Sequence, residues 1–292
     1  MYTEDKSFDK AIEKNDKKLR ILAHGDSWFA YPRHYGKSGN IIDCLDKTKK
    51  YKIRNLAKNG AELLTMISGK HNHKILQSVK RYYKKGLPYH IFLISGGGND
   101  AVGKHDWEWL IKDKTIWEKD IQAGASAKKP ETYIHIDRLN DKMKLIELGY
   151  KHIINQVSVE SPGIKIIGQL YDRPFPSTKG FLPFTEAWMM PIMTKKKYGK
   201  LINADDEMLL RKIILKVFNT FKEMLVGVEK HFKTNSQVHF AVARTFGTFK
   251  KASKNNIAKE RKYWRNEIHP THKGFKLITE SKIMPLIDKV KY

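Results

Sequence analysis

The sequence predicts an α/β fold built on a parallel sheet. Short apolar segments alternate along the chain with longer segments of helical periodicity, which is typical of parallel strands joined by helices. Each apolar segment is bounded by Gly, Pro or polar residues and is rich in Ile, Leu, Val or Phe, as buried strands are. Neither internal repeats nor low-complexity linkers interrupt the chain, so we expect a single domain over residues 1–292.

The predicted elements follow one another in regular order. Strands are predicted at Arg20–His24, Lys52–Leu56, His90–Ser95, Ile164–Gln169 and Val238–Ala243. Helical periodicity covers residues 38–48, 61–84, 138–159, 204–232 and 273–290. The first 19 residues are strongly charged, and we expect them to form an N-terminal extension (residues 1–19).

Two stretches fit this alternation poorly. Residues 101–137 contain three tryptophans among charged residues, and residues 171–203 contain four prolines among aromatic residues. Because they follow the third and fourth strands, they belong at the carboxyl edge of the sheet, where ligands bind in such folds. They are either lid or pocket insertions or irregular surface packing.

Composition excludes several classes of protein. Hydrophobic residues make up 40% of the 292 positions, which is enough for a sizeable core and excludes a wholly disordered chain. The single cysteine, Cys44, excludes an internal disulfide and a Cys-rich zinc site. No apolar segment approaches the ~20 residues of a membrane-spanning helix. The first residues show no signal peptide, so a cytoplasmic location is the default expectation.

The charge balance is strongly positive. There are 56 Lys and Arg against 31 Asp and Glu, giving a net charge of +25, which favours anionic partners. Most of the excess is lysine, whereas bidentate phosphate recognition prefers arginine, so we expect no specific nucleic-acid binding. The basic, aromatic stretch at residues 249–265 either draws in an anionic substrate or is a solvated loop, and Lys195–Lys197 resembles a solvated turn.

Two motifs follow the first two strands. In HGDSWFAYP (residues 24–32), Ser27 comes just after a strand and a glycine, which exposes its hydroxyl at the sheet edge beside outward-pointing N–H groups. The competing interpretation is a helix N-cap. In KNGAEL (residues 58–63), Gly60 offers a backbone N–H to a developing oxyanion or serves only as a β–α turn.

Two further motifs follow the third strand and precede the last helix. In LISGGGNDAVG (residues 93–103), Asn99 offers a side-chain N–H and Asp100 is expected to brace the loop. Nucleotide-binding glycine patterns are absent. In YWRNEIHPTHKGF (residues 263–275), His269 suits a general base on a rigid loop. A metal site with His272 and Glu267 is the competing idea, but H-E-x-x-H spacing is missing, so we expect neither metal nor cofactor.

Together, in this order, the four motifs resemble the SGNH (GDSL-type) hydrolase family over residues 20–290. The resemblance rests on Gly25-Asp26-Ser27, Asn59-Gly60, Gly97-Gly98-Asn99-Asp100 and His269-Pro270. It implies a flavodoxin-like three-layer α/β/α sandwich with a central five-stranded parallel sheet and insertions at its carboxyl edge. It also implies that Ser27 attacks an ester of a lipid, an acetylated sugar or a thiol, with His269 as general base. Ser27, Gly60 and Asn99 would then form the oxyanion hole.

One position departs from the family pattern, because Asn266 stands where the family has an aspartate three residues before the histidine. An amide oxygen can accept the imidazole N–H and hold its tautomer, but it brings no charge to stabilise imidazolium. Three interpretations remain open: Asn266 orients His269, Glu267 or a distant acid substitutes, or the site is impaired. The alternative function is a non-hydrolytic protein that binds an anionic polymer such as nucleic acid or acidic glycan. The sequence leaves the oligomeric state open.

Overall fold

A five-stranded, wholly parallel sheet forms the centre of the computed structural model, which describes residues 1–12, 17–33, 39–180, 187–194, 204–234, 237–249 and 260–290. The strands are β1 (Leu19–Gly25), β2 (Tyr51–Asn55), β3 (Ile91–Ser95), β4 (Lys165–Gln169) and β5 (His239–Ala243). Their spatial order is β2-β1-β3-β4-β5, which is the doubly wound, flavodoxin-like order. The predicted fold class is confirmed, and every strand begins and ends within one residue of its prediction.

The sheet register aligns the carboxyl ends of the central strands. Ile21 of β1 pairs with Ile53 on one side and with Ile91 on the other, and the last residue of β1, Gly25, pairs with Ser95 at the end of β3. Strands buried on both faces in this way are continuously apolar, because each side chain meets a helical layer. The loops that follow β1 and β3 therefore emerge side by side at one edge of the sheet.

One helical layer contains the long helices. These are α4 (Leu63–Met66), α5 (Gly69–Lys84), α9 (Ile136–Glu160) and α11 (Ala204–Lys233), with α9 packed against both α5 and α11. The apolar stripe of α11 is buried, as its periodicity predicts. The helix predicted over residues 61–84 is divided in two, because Ser68 adopts an extended conformation between α4 and α5.

The other helical layer brings together the beginning and the end of the chain. It contains α2 (Ser27–Ala30), α3 (Ile41–Lys47), α12 (His272–Ile278), a π-helical turn (Thr279–Ile283) and α13 (Met284–Ile287). The predicted helix over residues 38–48 begins at Ile41, because the Asn40 side chain accepts the Asp43 N–H at 2.8 Å and caps it. Position 38 itself lies outside the described residues.

The charged N-terminal segment contributes to the core. Tyr2 exchanges backbone hydrogen bonds with Ile53 and Asn55 at 2.8 and 2.9 Å, which adds a bridge beside β2. Helix α1 (Asp5–Ile12) buries Phe8 completely, and its ring packs against those of Tyr82 and Tyr89. The sequence predicts an extension here because the few apolar residues of this helix, Phe8, Ala11 and Ile12, are surrounded by charged residues and give only a weak helical pattern.

Residues 101–137 and 171–203 lie where the topology predicts, after β3 and β4. The first stretch contains the end of α6 (Gly98–Val102), all of α7 (Lys104–Leu110) and α8 (Lys114–Gln122), and a 3₁₀ turn (Pro130–Tyr133), and it buries Trp107. The second contains α10 (Met189–Met193). Residues 181–186 and 195–203, including Lys195–Lys197, lie outside the described residues, as do 250–259 of the basic stretch. Among the helices described, none is both long and apolar enough to cross a membrane.

Candidate active site

Ser27 lies at the carboxyl edge of the sheet, where the chain turns sharply from β1 into α2. Gly25 permits this turn, since a Cβ there would come within 2.6 Å of the Ser95 carbonyl oxygen. Asp26 then caps α2 by accepting the Trp28 N–H at 2.9 Å. The cap and the strand end fix Ser27 as the first residue of α2, with only 4% of its surface exposed.

His269 reaches Ser27 from the opposite end of the chain. Its loop is closed by an antiparallel bridge between Trp264 and Pro270 and by a 2.8 Å bond from the Arg265 N–H to the His269 carbonyl oxygen. The Trp28 indole N–H donates to the Ile268 carbonyl oxygen at 3.0 Å, which joins this loop directly to α2. As a result, His269 Nε2 lies 2.7 Å from Ser27 Oγ, within hydrogen-bond distance.

Asn266 determines the tautomer of this histidine. Its Oδ1 accepts the backbone N–H groups of Ile268 and His269 at 3.1 and 2.8 Å, so this atom must be the amide oxygen and not the nitrogen. The same oxygen lies 3.0 Å from His269 Nδ1. Because a carbonyl oxygen can only accept, Nδ1 carries the proton and Nε2 is left as the acceptor that faces Ser27.

Burial keeps His269 neutral. The ring is almost fully enclosed and packs against Tyr31, with ring centroids 4.2 Å apart. Desolvation, together with the positive charge of Arg265, lowers the pKa of His269 to about 3. A neutral imidazole is the form that can accept a proton from a hydroxyl group.

Glu267 lines the same cleft as His269, and its carboxylate binds the start of a neighbouring helix. Its carboxylate accepts the backbone N–H groups of Trp188, Met189 and Met190 at 2.7, 2.8 and 2.6 Å, which binds the start of α10 to the His269 loop. Burial raises the pKa of Glu267 to about 7. The carboxylate therefore holds a neighbouring segment in place, and a role as substitute acid for His269 stays a prediction with little geometric support.

Gly60 lies in a turn and Asn99 in α6, and the two segments are connected at the same edge of the sheet. The Lys58 N–H donates to the Gly25 carbonyl oxygen at 2.8 Å, which carries the turn containing Gly60 past the end of β1. The Asn99 side-chain amide donates to the Ala61 carbonyl oxygen at 2.9 Å and so ties α6 to this turn. In the part of the chain that the structure describes, neither the Ser27 nor the Gly60 N–H donates to another residue.

Asp100 braces the same region, as the sequence predicts. Its carboxylate accepts the Leu63 N–H at 2.7 Å at the start of α4. Burial raises the pKa of Asp100 to about 6.

A buried polar network behind Ser27 escapes prediction from the sequence. Asp26 accepts hydrogen bonds from the Ser95 hydroxyl at 2.8 Å and from the Tyr171 hydroxyl, and Gln169 donates to Ser95 at 2.9 Å. The Gly98 N–H donates to the Tyr171 oxygen at 3.1 Å. Tyr171 therefore connects the serine turn with the loop that carries Asn99. The sequence gives one indication of this role: Tyr171 comes just after the fourth strand, as Ser27, Gly60 and Asn99 come just after the first three.

Two clefts adjoin Ser27 and His269. The first is largely apolar and includes Ser27, Asn99, Val102, Tyr171 and Phe218 in its walls. The second includes Lys179, Gly180, Trp188, Asn266 and His269. Within the described ranges, no group of three His, Cys, Asp or Glu side chains is placed to hold a metal ion.

Comparison with solved structures finds the same fold in a phospholipase and in a lipase. Phospholipase A1 from Streptomyces albidoflavus NA297 is 14% identical, with a TM-score of 0.52 over 94% of this chain and 100% of that chain. The extracellular lipase from Streptomyces rimosus is 12% identical, with a TM-score of 0.50 over the same shares of the two chains. No protein-family model matches the sequence, and the comparison with curated proteins gives no match. At these identities the likeness shows the fold alone: the chain has the α/β fold of these lipolytic enzymes.

Proposed function

We propose that the protein is a serine hydrolase that cleaves carboxylic esters through an acyl-enzyme at Ser27. The observation that carries this proposal is the unbroken hydrogen-bonded series from Ser27 Oγ through the His269 imidazole to Asn266 Oδ1, at 2.7 and 3.0 Å. Nucleophile, base and orienting group at such distances are the arrangement that activates a serine hydroxyl. The fold shared with a phospholipase A1 and a lipase supports ester hydrolysis as the reaction class.

In the acylation step, Ser27 Oγ attacks the ester carbonyl carbon while His269 Nε2 takes the hydroxyl proton. The tetrahedral intermediate then collapses, the bond from the carbonyl carbon to the leaving oxygen breaks, and His269 returns the proton to that oxygen. In the second half, a water molecule attacks the acyl-enzyme with the same histidine as base, which releases the acid and restores Ser27. This sequence needs Nε2 unprotonated at the start, as the Asn266 contact implies.

The negative charge of the tetrahedral intermediate needs donors that are free before substrate binds. We assign this role to the Ser27 N–H, the Gly60 N–H and the Asn99 side-chain amide. The bond from Asn99 to the Ala61 carbonyl oxygen uses one amide hydrogen and leaves the second available. Loss of one such donor typically costs ~2.7–4 kcal/mol of transition-state stabilisation.

Asn266 serves in this proposal as an orienting group without charge. It fixes the tautomer and the ring plane, but the imidazolium that forms during acylation receives no carboxylate beside it. Glu267 is a weaker candidate for the missing acid, since its oxygens are bound to backbone N–H groups of α10. The acyl groups considered are those of a lipid, an acetylated sugar or a thioester.

The proposal is tested by hydrolysis of short- and medium-chain p-nitrophenyl esters by the wild type and Ser27→Ala. Matched circular dichroism spectra and equal protein concentrations are the controls. We expect the wild type to hydrolyse these esters and Ser27→Ala not to. The preferred acyl chain length would show how long an acyl group the apolar cleft accepts. Ser7→Ala is a matched control, because Ser7 is exposed and, among the residues described, its hydroxyl donates to the Glu4 carbonyl oxygen.

The result that would contradict the proposal is turnover that survives Ser27→Ala at the wild-type rate. A folded wild type that hydrolyses no ester but binds an anionic polymer in a salt-sensitive manner would favour the alternative function. Such binding would persist in Ser27→Ala, because a binding role has no use for the serine nucleophile.

A further inference from the structure

A positive charge lies next to the candidate base. The Arg265 guanidinium carbon is 5.7 Å from the centroid of the Tyr31 ring. Tyr31 in turn packs against the His269 ring at 4.2 Å. The guanidinium and the imidazole therefore both lie against the same aromatic ring, and the Arg265 side chain is half-buried.

This arginine differs from the other arginines of the same region in its surroundings. Arg211 pairs with Glu260, and Arg261 pairs with Glu207 at 3.3 Å. Arg265 has no carboxylate within 4.0 Å anywhere in the described ranges of the chain. The carboxylate closest to it in sequence, Glu267, is held by the backbone N–H groups of α10.

A second cation lies beside His269 on another wall. Lys179 lines the same cleft as His269 and Glu267, and it too has no ion-pair partner within 4.0 Å among the residues described. The cleft that contains Ser27 and Asn99 has no basic residue among its described walls. Lys179 thus lies on the His269 side of the site, and Arg265 adjoins that side through the Tyr31 ring that packs on His269. The leaving group must lie on this side to receive the proton from Nε2.

The charge distribution is unfavourable for catalysis in the free protein. Proton transfer from Ser27 makes His269 cationic, Arg265 repels that charge, and the neutral Asn266 does nothing to offset it. Tyr31 is uncharged, and Glu267 is directed at α10. A negative group brought by the substrate would neutralise Arg265 and lie near the forming imidazolium.

We propose that the leaving group of the natural ester carries an oxyanion, a carboxylate or phosphate, that pairs with Arg265 and supplies the negative charge that Asn266 lacks. This inference rests on the proposed ester hydrolysis. The planar guanidinium fork suits both oxyanions, with Lys179 as a second point charge. Arg265 is then a specificity-determining residue, and the substrate itself completes the electrostatics of the site.

The test compares two acetyl esters of nearly equal shape, 3-acetoxybenzoate and 3-acetoxybenzamide. Each kcat/KM is divided by the rate of hydroxide hydrolysis of the same ester, which removes the difference in intrinsic reactivity. For the wild type we expect the anionic ester to be favoured by roughly tenfold or more, the ratio that ~1.4 kcal/mol of differential binding gives. Raising the salt concentration should reduce this ratio, because screening weakens a partly exposed ion pair.

Variants assign the preference to one side chain. Arg265→Met should bring the ratio close to one, and Arg265→Lys, which keeps the charge but loses the fork, should retain part of it. Arg261→Met is the matched control: it removes a cation that also lies over an aromatic ring, Phe175 at 5.2 Å, but that already has a carboxylate partner. Its ratio should equal that of the wild type.

The possible failures are distinguishable. Ser27-dependent hydrolysis of both esters with a wild-type ratio near one would overturn this inference and leave the proposed function standing. An unchanged anionic preference in Arg265→Met would likewise overturn the assignment to Arg265. Hydrolysis of neither ester, or hydrolysis that is independent of Ser27, would count against the proposed function and the inference with it.

Discussion

Replacing Asn266 by aspartate tests how this site works without an acidic residue beside its histidine. The substitution places a carboxylate where the amide oxygen now lies, 3.0 Å from His269 Nδ1. With the two charge centres about 4 Å apart and an effective dielectric constant of about 20, the attraction is ~4 kcal/mol. At 1.36 kcal/mol for each pKa unit, this raises the pKa of His269 from about 3 to roughly 6.

The same attraction predicts faster acylation. If about half of the imidazolium charge has formed in the transition state, the carboxylate contributes ~2 kcal/mol, which corresponds to roughly a 30-fold rise in kcat/KM for a neutral ester. This is less than the ~10⁴-fold effect of the reverse substitution in a serine protease, where the amide also stabilises the wrong tautomer. Here Asn266 already holds the productive tautomer.

The assay is kcat/KM for p-nitrophenyl acetate as a function of pH, with circular dichroism at each pH to define the range in which the protein is folded. The acidic limb reports the pKa of the base in the free enzyme. In the wild type, activity should persist to well below pH 6. In Asn266→Asp it should fall as the pH drops through about 6, because the base becomes protonated there.

Asn72→Asp serves as the control for this substitution. Asn72 lies on α5, donates to Gln156 of α9 at 3.0 Å and lines neither of the two clefts, so the same change in net charge should leave rate and pH profile unaltered. The reasoning would be refuted by a wild-type acidic limb centred near pH 6.5. It would also be refuted by an Asn266→Asp profile that coincides with that of the wild type.

Three further predictions follow from the contacts around the site. Tyr171→Phe removes the hydroxyl that joins Asp26 to the Gly98 N–H. It should lower the free energy of unfolding by ~1–3 kcal/mol in a urea titration. An unchanged urea midpoint would contradict the bracing role of Tyr171. Glu267→Gln should lower the thermal midpoint, because an amide oxygen accepts the three N–H groups at the start of α10 less well than a carboxylate does. It should leave the acidic limb of the pH profile of kcat/KM at the same pH. A displaced limb would instead support Glu267 as the substitute acid. Burial lowers the pKa of His24 from its ordinary 6.5 to about 4, so the folded protein holds this side chain neutral. Between pH 6.5 and 4 the unfolded chain binds the proton more readily than the folded protein does. The free energy of unfolding therefore falls as the pH drops through this range and is unaffected by His24 above about pH 6.5. The loss is ~3 kcal/mol, and His24→Gln should flatten this part of the stability profile measured by urea unfolding; an equal slope in both proteins would show that His24 is not responsible.

The sheet could be predicted closely because its physical cause is local. A parallel strand buried on both faces must be a short, continuous apolar segment, and β3 (Ile91–Ser95) shows this in five residues. The proximity of Ser27 and His269, 242 positions apart, was implied by the family resemblance that the order of the four motifs carries.

Other features depend on contacts between distant segments and leave little trace in the sequence. Glu267 is the example: next to His269 in sequence, it suggests an acid for the site. Its partners are backbone N–H groups near Met189, about 80 positions away, and a backbone group leaves no residue pattern to recognise. The burial of Phe8 by Tyr82 has the same origin, because a single aromatic residue among charges gives no periodic signal.

The central claim is that Ser27 is a nucleophile activated by His269. The most direct measurement is labelling of the native protein with a fluorophosphonate, followed by intact mass and peptide mapping. The account predicts one adduct per chain at Ser27, none in Ser27→Ala, and much slower labelling in His269→Ala, because the hydroxyl then has no base 2.7 Å away. Labelling at another residue, or an equal rate of labelling in His269→Ala, would contradict it.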